Sequence, residues 1–449
     1  MKKILIANRG EIARRIIRTC SRLGIETVAI HSEADGDLPY TREATEAVLI
    51  GPNPVVQSYL QMDKIIEEAK KRNAEAIHPG YGLLSENAEF ARKVEQAGLV
   101  FIGPQSDIIE KMGDKIESRK TMIEAGVPVV PGTEEGTKTL EEALEAAEGI
   151  GYPVMLKASS GGGGIGMVRC ENEQALSQQF VSVKNRAKAY FGDDVVFLEK
   201  YIADARHIEV QIFGDHQGNI IHLYERNCSV QRRNQKVIEE SPSPHLPQDA
   251  RERLCDAAIQ AAKAVNYTNA GTVEFIVDQN NDFYFLEMNT RLQVEHPVTE
   301  QVTGLDLVEW QLKVAAGESL PAQESIESKG HAIEYRIYAE DPKTFFPSPG
   351  KLEKIEWGKD ARIESGYEEG NVVTPFYDPM ISKVIITGSD RIEALTKSQN
   401  FFNHATIIGV KTNIPLFKEF VESQEFVSGD YATAVLPAWM DKTKEEKRV

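Results

Sequence analysis

Within its first hundred residues the chain alternates short apolar runs with helically spaced apolar positions, and few architectures accept that pattern. Lys3 to Ala7 reads as a short strand. Glu11 to Leu23 carries Ile12, Ile16, Ile17, Cys20 and Leu23 at helical spacing, and Gly24 stops it. Thr27 to His31 predicts a second strand, Met62 to Lys71 a helix ending near Asn73, and Ala76 to His78 a third strand before the loop Pro79-Gly80-Tyr81-Gly82. Val100 to Ile102, closed by Gly103-Pro104, predicts a fourth. Strands separated by helices build a parallel sheet covered on both faces, so a Rossmann-like α/β domain is expected. One glycine, Gly10, follows the first strand where a dinucleotide fingerprint needs three. The pattern therefore predicts the fold without NAD binding.

At roughly 150 residues per domain, 449 residues predict three domains. We place them at 1–112, 113–330 and 331–449. The second region holds a glycine-rich loop, several β-runs and a helix from Asp249 to Val265, and the polar stretch Gln323 to Ser328 before Lys329-Gly330 marks its end. From His331 the chain reads mainly as strands with Pro/Gly turns, plus a late helix from Arg391 to about Phe402 and a charged, frayed tail from Lys442. No internal repeat is evident.

Composition excludes several classes. Lys and Arg total 51 against 69 Asp and Glu, a net charge of −18, which disfavours binding to nucleic acid or anionic membrane. A small basic pocket for a phosphate ligand stays possible. No apolar run approaches the roughly 18 residues of a membrane span. The four cysteines, Cys20, Cys170, Cys228 and Cys255, lie too far apart for a metal knuckle and are too few for a disulfide framework. Met1-Lys2-Lys3 precedes too short an apolar stretch for a signal peptide, so a cytoplasmic protein is expected.

Two segments carry chemistry. The loop Ser159 to Gly166 contains Gly161, Gly162, Gly163, Gly164 and Gly166 after a strand ending in Lys157. Such a loop exposes backbone N–H groups to a phosphate, although it lacks the Gly-Lys-Ser/Thr closure of a Walker A motif. The alternative is a flexible surface linker. In the second segment, Thr272 to Val277 and Phe283 to Met288 predict a hairpin around Asp278 to Asp282. With a four-residue loop, Val277 faces Tyr284 and Glu274 faces Glu287. Carboxylates directly opposite each other repel, and a divalent cation would reverse that sign. Asn289 adds a third oxygen donor on the same face, a set suited to Mg²⁺ shared with substrate phosphates. If the strand continues, Glu287, Asn289, Arg291, Gln293 and Glu295 share one face; the alternative is a solvated sheet face. Singly, His207 and Lys236 suggest phosphate partners or plain surface residues, and Arg291 and Arg336 suggest anion clamps or structural ion pairs. Glu295 is a candidate general base, while His331 and Trp357 read as structural.

In this order, these residues resemble the biotin carboxylase family of ATP-grasp enzymes over nearly the whole chain. The match begins at Ile6-Ala7-Asn8-Arg9-Gly10-Glu11-Ile12-Ala13 and runs through His78 to Gly82, Met112-Gly113-Asp114-Lys115, the glycine loop and Gln231-Arg232-Arg233. Glu287 to Pro297 is its most specific stretch, and Ala339-Glu340-Asp341-Pro342 its last. The resemblance implies a Rossmann-like N-terminal domain, a central ATP-grasp domain with a lid at about 130–203, and a β-rich C-terminal domain. It implies ATP, Mg²⁺ or Mn²⁺, and carrier-bound biotin. Lys115 and Lys157 would contact phosphates under a lid containing Gly163, Gly164 and Met167. Glu199, Lys200, Tyr201 and Ile202 would hold adenine, with His207, Gln231 and Asn234 also at the nucleotide. Glu274, Glu287 and Asn289 would hold the metal. Lys236, Arg291, Gln293 and Val294 would bind bicarbonate, Glu295 would deprotonate it, Arg336 would stabilise the biotin enolate, and Tyr81 would lie near the ureido ring.

Two positions depart from the family pattern. Ile165 stands where the lid usually has a basic residue, and Asn234 where a histidine is usual. Altered nucleotide affinity is expected; Ile165→Arg should change the KM for ATP. Other readings are an ATP-grasp ligase of another kind and a non-catalytic nucleotide-binding protein. The chain has no Met-Lys-Met biotin-attachment motif, so a separate biotinylated carrier and a separate carboxyltransferase are expected partners. The resemblance also implies a homodimer, with acetyl-CoA carboxylase as the default assembly.

Overall fold

The computed structural model describes residues 1–133, 135–159, 166–192 and 194–446. Its N-terminal region is a five-stranded parallel sheet in the order Glu46–Gly51, Glu26–Ser32, Lys3–Ile6, Ala76–His78, Val100–Phe101. The helices Gly10–Arg22 and Met62–Lys71 fall where apolar spacing places them, and Ala88–Gln96 is a further helix that the sequence reading missed. Glu46–Gly51 is a strand that the sequence reading missed. It is an edge strand that exposes Ala47 and Leu49, and its apolar run, Ala47 to Ile50, is too short to tell a strand from a buried helix segment.

The site is built on a second, eight-stranded antiparallel sheet. Its order is Phe283–Asn289, Asn269–Val277, Arg206–Gly214, Ile220–Arg232, Gln235–Ser241, His331–Tyr338, Met380–Gly388, Ala361–Ser365. Strand Gln235–Ser241 pairs directly with His331–Tyr338, so one sheet runs unbroken past the polar stretch before Gly330. On one face Ile208, Val210, Val273 and Phe275 pack with Leu254, Ala258 and Ala261 of helix Gln248–Ala264.

A smaller three-stranded sheet, Met167–Cys170, Val154–Ala158, Val196–Lys200, stands over the cleft. Helices Leu140–Ile150 and Glu173–Phe191 back it, and Val154, Leu156, Leu176 and Leu198 form its own core. Thr139 and Glu142 start the first of these helices with a reciprocal capping box.

Two expectations about the C-terminal region are corrected. It contains four helices, Arg391–His404, Ile414–Phe420, Gln424–Val427 and Val435–Glu446, as well as strands. The charged tail is helical to Glu446, because Trp439 packs edge-on against Phe420 and ties the preceding turns to the core.

Candidate active site

The hairpin expectation was half right. Val277 pairs with Phe283 and not with Tyr284, yet Glu274 does face Glu287. A register shift between Phe275 and Glu274 reconciles the two: Leu286 is an extra residue, a β-bulge that moves the pairing by one just before the acidic residues. The ladder extends further than the hairpin. Glu274 also faces Glu209 on the next strand, and Glu209 faces Arg226 on the one after. Glu287, Glu274, Glu209 and Arg226 thus form one row across four strands.

Three carboxylates in a row would destabilise a sheet without nearby positive charge. Arg226, with no exposed surface, donates from Nε to Glu209 Oε1 at 2.6 Å and from Nη1 to Gln211 at 2.8 Å. Lys236 Nζ supplies the rest, at 2.6 Å from Glu209, 2.7 Å from Glu274 and 2.8 Å from Glu295. Burial alone would lower the Lys236 pKa, but these three carboxylates hold it well above the usual lysine range.

The expectation of a strand alternating as far as Glu295 is not met. The strand stops at Asn289, and Glu295 sits at the N-cap position of helix His296–Thr303, with Pro297 in its first turn. The residues converge through hydrogen bonds instead. Asn289 Nδ2 donates to Glu274 Oε1 at 2.8 Å, and Gln293 Nε2 donates to the same oxygen at 3.2 Å. Arg291 is clamped at three points: Nη2 to Asn289 at 2.9 Å, Nη1 to Gln293 at 2.9 Å and Nε to Glu86 at 2.8 Å.

Glu295 is fully buried below the cleft floor. Its two oxygens meet Lys236 Nζ at 2.8 Å and Arg336 Nη2 at 3.0 Å. Burial pushes its pKa up, but Lys236, Arg336 and Arg226 more than reverse this and hold it well below the usual carboxylate range. Arg336 Nη2 also reaches Glu239 at 2.6 Å. Burial raises Glu239 to about 7, because Arg336 offsets only part of the desolvation.

These groups border a cleft of about 680 Å³. Lys115, Lys157, Met167, Glu199, Lys200, Tyr201, Ile202, His207, Gln231, Asn234, Lys236, Glu274, Glu287, Asn289, Arg291, Gln293, Val294, Arg336 and Tyr81 all line it. Gly163, Gly164 and Ile165 lie outside the described residues. Lys157 is ion-paired with Glu199, which Arg119 meets at 3.2 Å. Lys200 borders the cleft, while its Nζ donates at 2.7 Å to the Gly151 carbonyl. His207 bridges Gln231, 3.1 Å from its Nδ1, and Glu274, 3.0 Å from its Nε2.

Asn234 has a structural reason. Arg233 and Asn234 form the two-residue turn between strands Ile220–Arg232 and Gln235–Ser241, with φ of 49° and 63°. Asparagine tolerates this left-handed conformation better than most residues.

Glu274 and Glu287 fit a hard divalent cation. They are cross-strand neighbours, and Glu287 is answered by Lys115 Nζ at 3.7 Å, beyond hydrogen-bond range. Asn289 would add an amide oxygen. Sequence reasoning missed Glu209, Arg226, Glu239 and Arg119. Glu209 had a signal, since it shares strand parity with His207. The others are recruited from strands and helices that the motif does not contain.

Known proteins match the chain in family and in fold. Family models described as biotin carboxylase N-terminal domain, carbamoyl-phosphate synthase L chain ATP-binding domain and biotin carboxylase C-terminal domain match residues 1–109, 114–323 and 334–438. Biotin carboxylase 2 of Bacillus subtilis is 58% identical over 97% of this chain and 98% of its own length. The mitochondrial methylcrotonoyl-CoA carboxylase subunit alpha of Rattus norvegicus is 51% identical over 97% of this chain and 62% of its length. A solved structure, the biotin carboxylase domain dimer of Hydrogenobacter thermophilus 2-oxoglutarate carboxylase with MgADP, ADP and bicarbonate, superposes with a TM-score of 0.95 at 47% identity, covering 97% of each chain.

Proposed function

The chain belongs to the biotin carboxylase family, and on that premise we propose that it carboxylates biotin on a separate carrier protein, using ATP and bicarbonate. The observation that carries this reading is the buried carboxylate of Glu295, held between Lys236 and Arg336 at the cleft floor. A base set among cations suits an anionic substrate that must lose a proton where it binds.

Lys236, Arg291, Gln293 and the backbone of Val294 receive bicarbonate. Glu295 is ionised at neutral pH and ready to accept its proton. Its basicity is weak while Lys236 and Arg336 attend to it alone. An incoming anion that shares those cations raises that basicity, so substrate binding itself strengthens the base. The deprotonated bicarbonate attacks the γ-phosphate of ATP, giving carboxyphosphate and ADP. Lys115 and Lys157 position the phosphates, and the transfer needs little beyond positioning and charge neutralisation. Glu274, Glu287 and Asn289 would hold Mg²⁺ or Mn²⁺, which neutralises phosphate charge when bound. Carboxyphosphate breaks down to CO₂ and phosphate. The phosphate takes the N1′ proton of biotin, Arg336 stabilises the enolate, and Tyr81 borders the ureido ring. Glu199, Lys200, Tyr201, Ile202, Gln231, Asn234 and Met167 surround the nucleotide, with Gly163 and Gly164 in the lid.

The assembly we infer is a homodimer, like the Hydrogenobacter domain dimer, divided at 112/113 and 330/331 and serving acetyl-CoA carboxylase in fatty-acid synthesis. The Bacillus relative is named a biotin carboxylase without an acyl acceptor, and carboxylases of methylcrotonoyl-CoA and 2-oxoglutarate are similar too. A cytoplasmic location accords with the described residues, in which no helix is long and apolar enough to cross a membrane. ADP release with and without bicarbonate and free biotin tests the reaction. Release independent of both would refute it. Pull-down of the carrier and transferase tests the assembly, and recovery of a non-acetyl-CoA transferase would replace acetyl-CoA as the acceptor.

A further inference from the structure

Behind the cleft floor, one lysine joins the three sequence regions. Lys383 lies in strand Met380–Gly388 and has no exposed surface. Its Nζ donates to the Val294 carbonyl at 2.7 Å and stands 3.2 Å from Glu11 Oε1. Glu11, buried in the first turn of helix Gly10–Arg22, also accepts a hydrogen bond from the Tyr81 hydroxyl. Lys383 Nζ lies 5.8 Å from the centroid of the Tyr81 ring.

A buried ammonium is costly unless it is paired and hydrogen-bonded, and an apolar side chain of equal length would fill the same space without that cost. Its partners here are specific. The Val294 carbonyl shares a rigid peptide plane with the N–H of Glu295, so holding that oxygen sets the direction in which the chain enters Glu295. The preceding carbonyl, of Gln293, is met at 2.8 Å by Nδ1 of buried His296. The turn carrying Gln293, Val294 and Glu295 is therefore gripped at two successive carbonyls. On the other branch, Asn8 Nδ2 donates to the carbonyls of Pro79 at 2.7 Å and Tyr81 at 2.8 Å. That fixes the Tyr81 backbone while Glu11 fixes its hydroxyl.

We infer that Lys383 is a positioning residue that ties the turn Gln293–Glu295 to the Tyr81 loop through Glu11, so that the bicarbonate side and the biotin side of the cleft keep one spacing. The inference rests on the functional reading above. Lys383 touches neither substrate there; it acts through Val294 and Glu11.

Lys383→Met keeps an unbranched side chain only one atom shorter and removes its donors. A displacement of about 1 Å in a reacting group costs roughly 100-fold in rate. The kcat/KM for bicarbonate should therefore fall about 100-fold, with the KM for ATP unchanged. Amide hydrogen exchange should accelerate in peptides covering 79–83 and 291–296 and stay unchanged in strand Val154–Ala158 of the lid. Glu11→Gln keeps a hydrogen-bond partner for Tyr81, removes the charge, and should lower the same constant less. It carries the test if the methionine variant does not fold. Unchanged bicarbonate kinetics, or equal losses for ATP and bicarbonate with uniformly faster exchange, would overturn the inference. If the unmodified protein releases ADP without regard to bicarbonate, the functional reading falls. Exchange confined to the two loops would then still support the tie, and unaltered exchange would still overturn it.

Discussion

The two large sheets answer the same problem in opposite ways. In the parallel sheet both faces are apolar: Leu5, Val28, Ile30 and Ile77 pack on one side, and Ile4, Ile6, Ala29 and Ala76 on the other. In the antiparallel sheet one face is apolar, while the other buries Glu209, Glu274, Glu295 and Arg226 beside a partly buried Lys236. The first arrangement gains free energy from every residue. The second holds only because its charges are matched, and Glu239, whose pairing with Arg336 still leaves it raised to about 7, is the part poised to change protonation. A sheet can thus be a scaffold or a reaction floor according to what one face carries.

The comparison breaks most sharply at Glu295. Glu295→Gln should lower kcat by about 10²–10⁴-fold, the usual contribution of a general base, and lower the melting temperature as well, because Lys236 and Arg336 lose a buried ionised partner. An unchanged kcat per folded molecule would make the residue structural. Next, Arg226→Met should destabilise the fold by about 3–5 kcal/mol in denaturant unfolding, because it strands the buried charge of Glu209. Adding Glu209→Leu should recover part of that loss, since removing both members of a buried pair is far milder than removing one. On the other sheet, Ile30→Ala should cost about 2–5 kcal/mol through its cavity, with kcat unchanged. A fall in kcat there would erase the division between scaffold and floor.

The smallest effect is a pH dependence. The folded-state pKa of Glu239, about 7, lies above that of an unfolded glutamate, about 4.3. Between those values the folded state holds the extra proton, so stability declines as pH rises from about 4.3 to 7. Glu239→Gln removes that slope. Its melting temperature should vary less than that of the unmodified protein between pH 5 and 7.5, and an identical slope would mean that Glu239 is not the titrating group.

Legibility follows the same division. Apolar spacing alone located helix Met62–Lys71 and strand Ala76–His78 to the residue, because their burial is written into local periodicity. Edge strand Glu46–Gly51 escaped because its four-residue apolar run, Ala47 to Ile50, does not by itself distinguish a strand from a buried helix segment. In the site, the pairing of Glu274 with Glu287 was readable, although the register that led to it was one residue out beyond the bulge at Leu286. The strand assumed to reach Glu295 stops at Asn289, the end of an edge strand of the sheet. The hydrogen bonds that gather Arg291, Gln293 and Glu295 carry no periodic signature.

By itself the sequence determined most of the N-terminal strands and helices, which oxygen donors share the hairpin, and which family the motifs belong to. Local spacing and residue chemistry decide those. Only the tertiary structure decided that the carboxylate row reaches Glu209 and Arg226, that Glu295 is buried between Lys236 and Arg336, and that Lys383 braces the turn beside it. Those partners sit tens to hundreds of residues away along the chain. Strand order and one bulge bring them within 3 Å or so, and no local pattern encodes a neighbour on another strand.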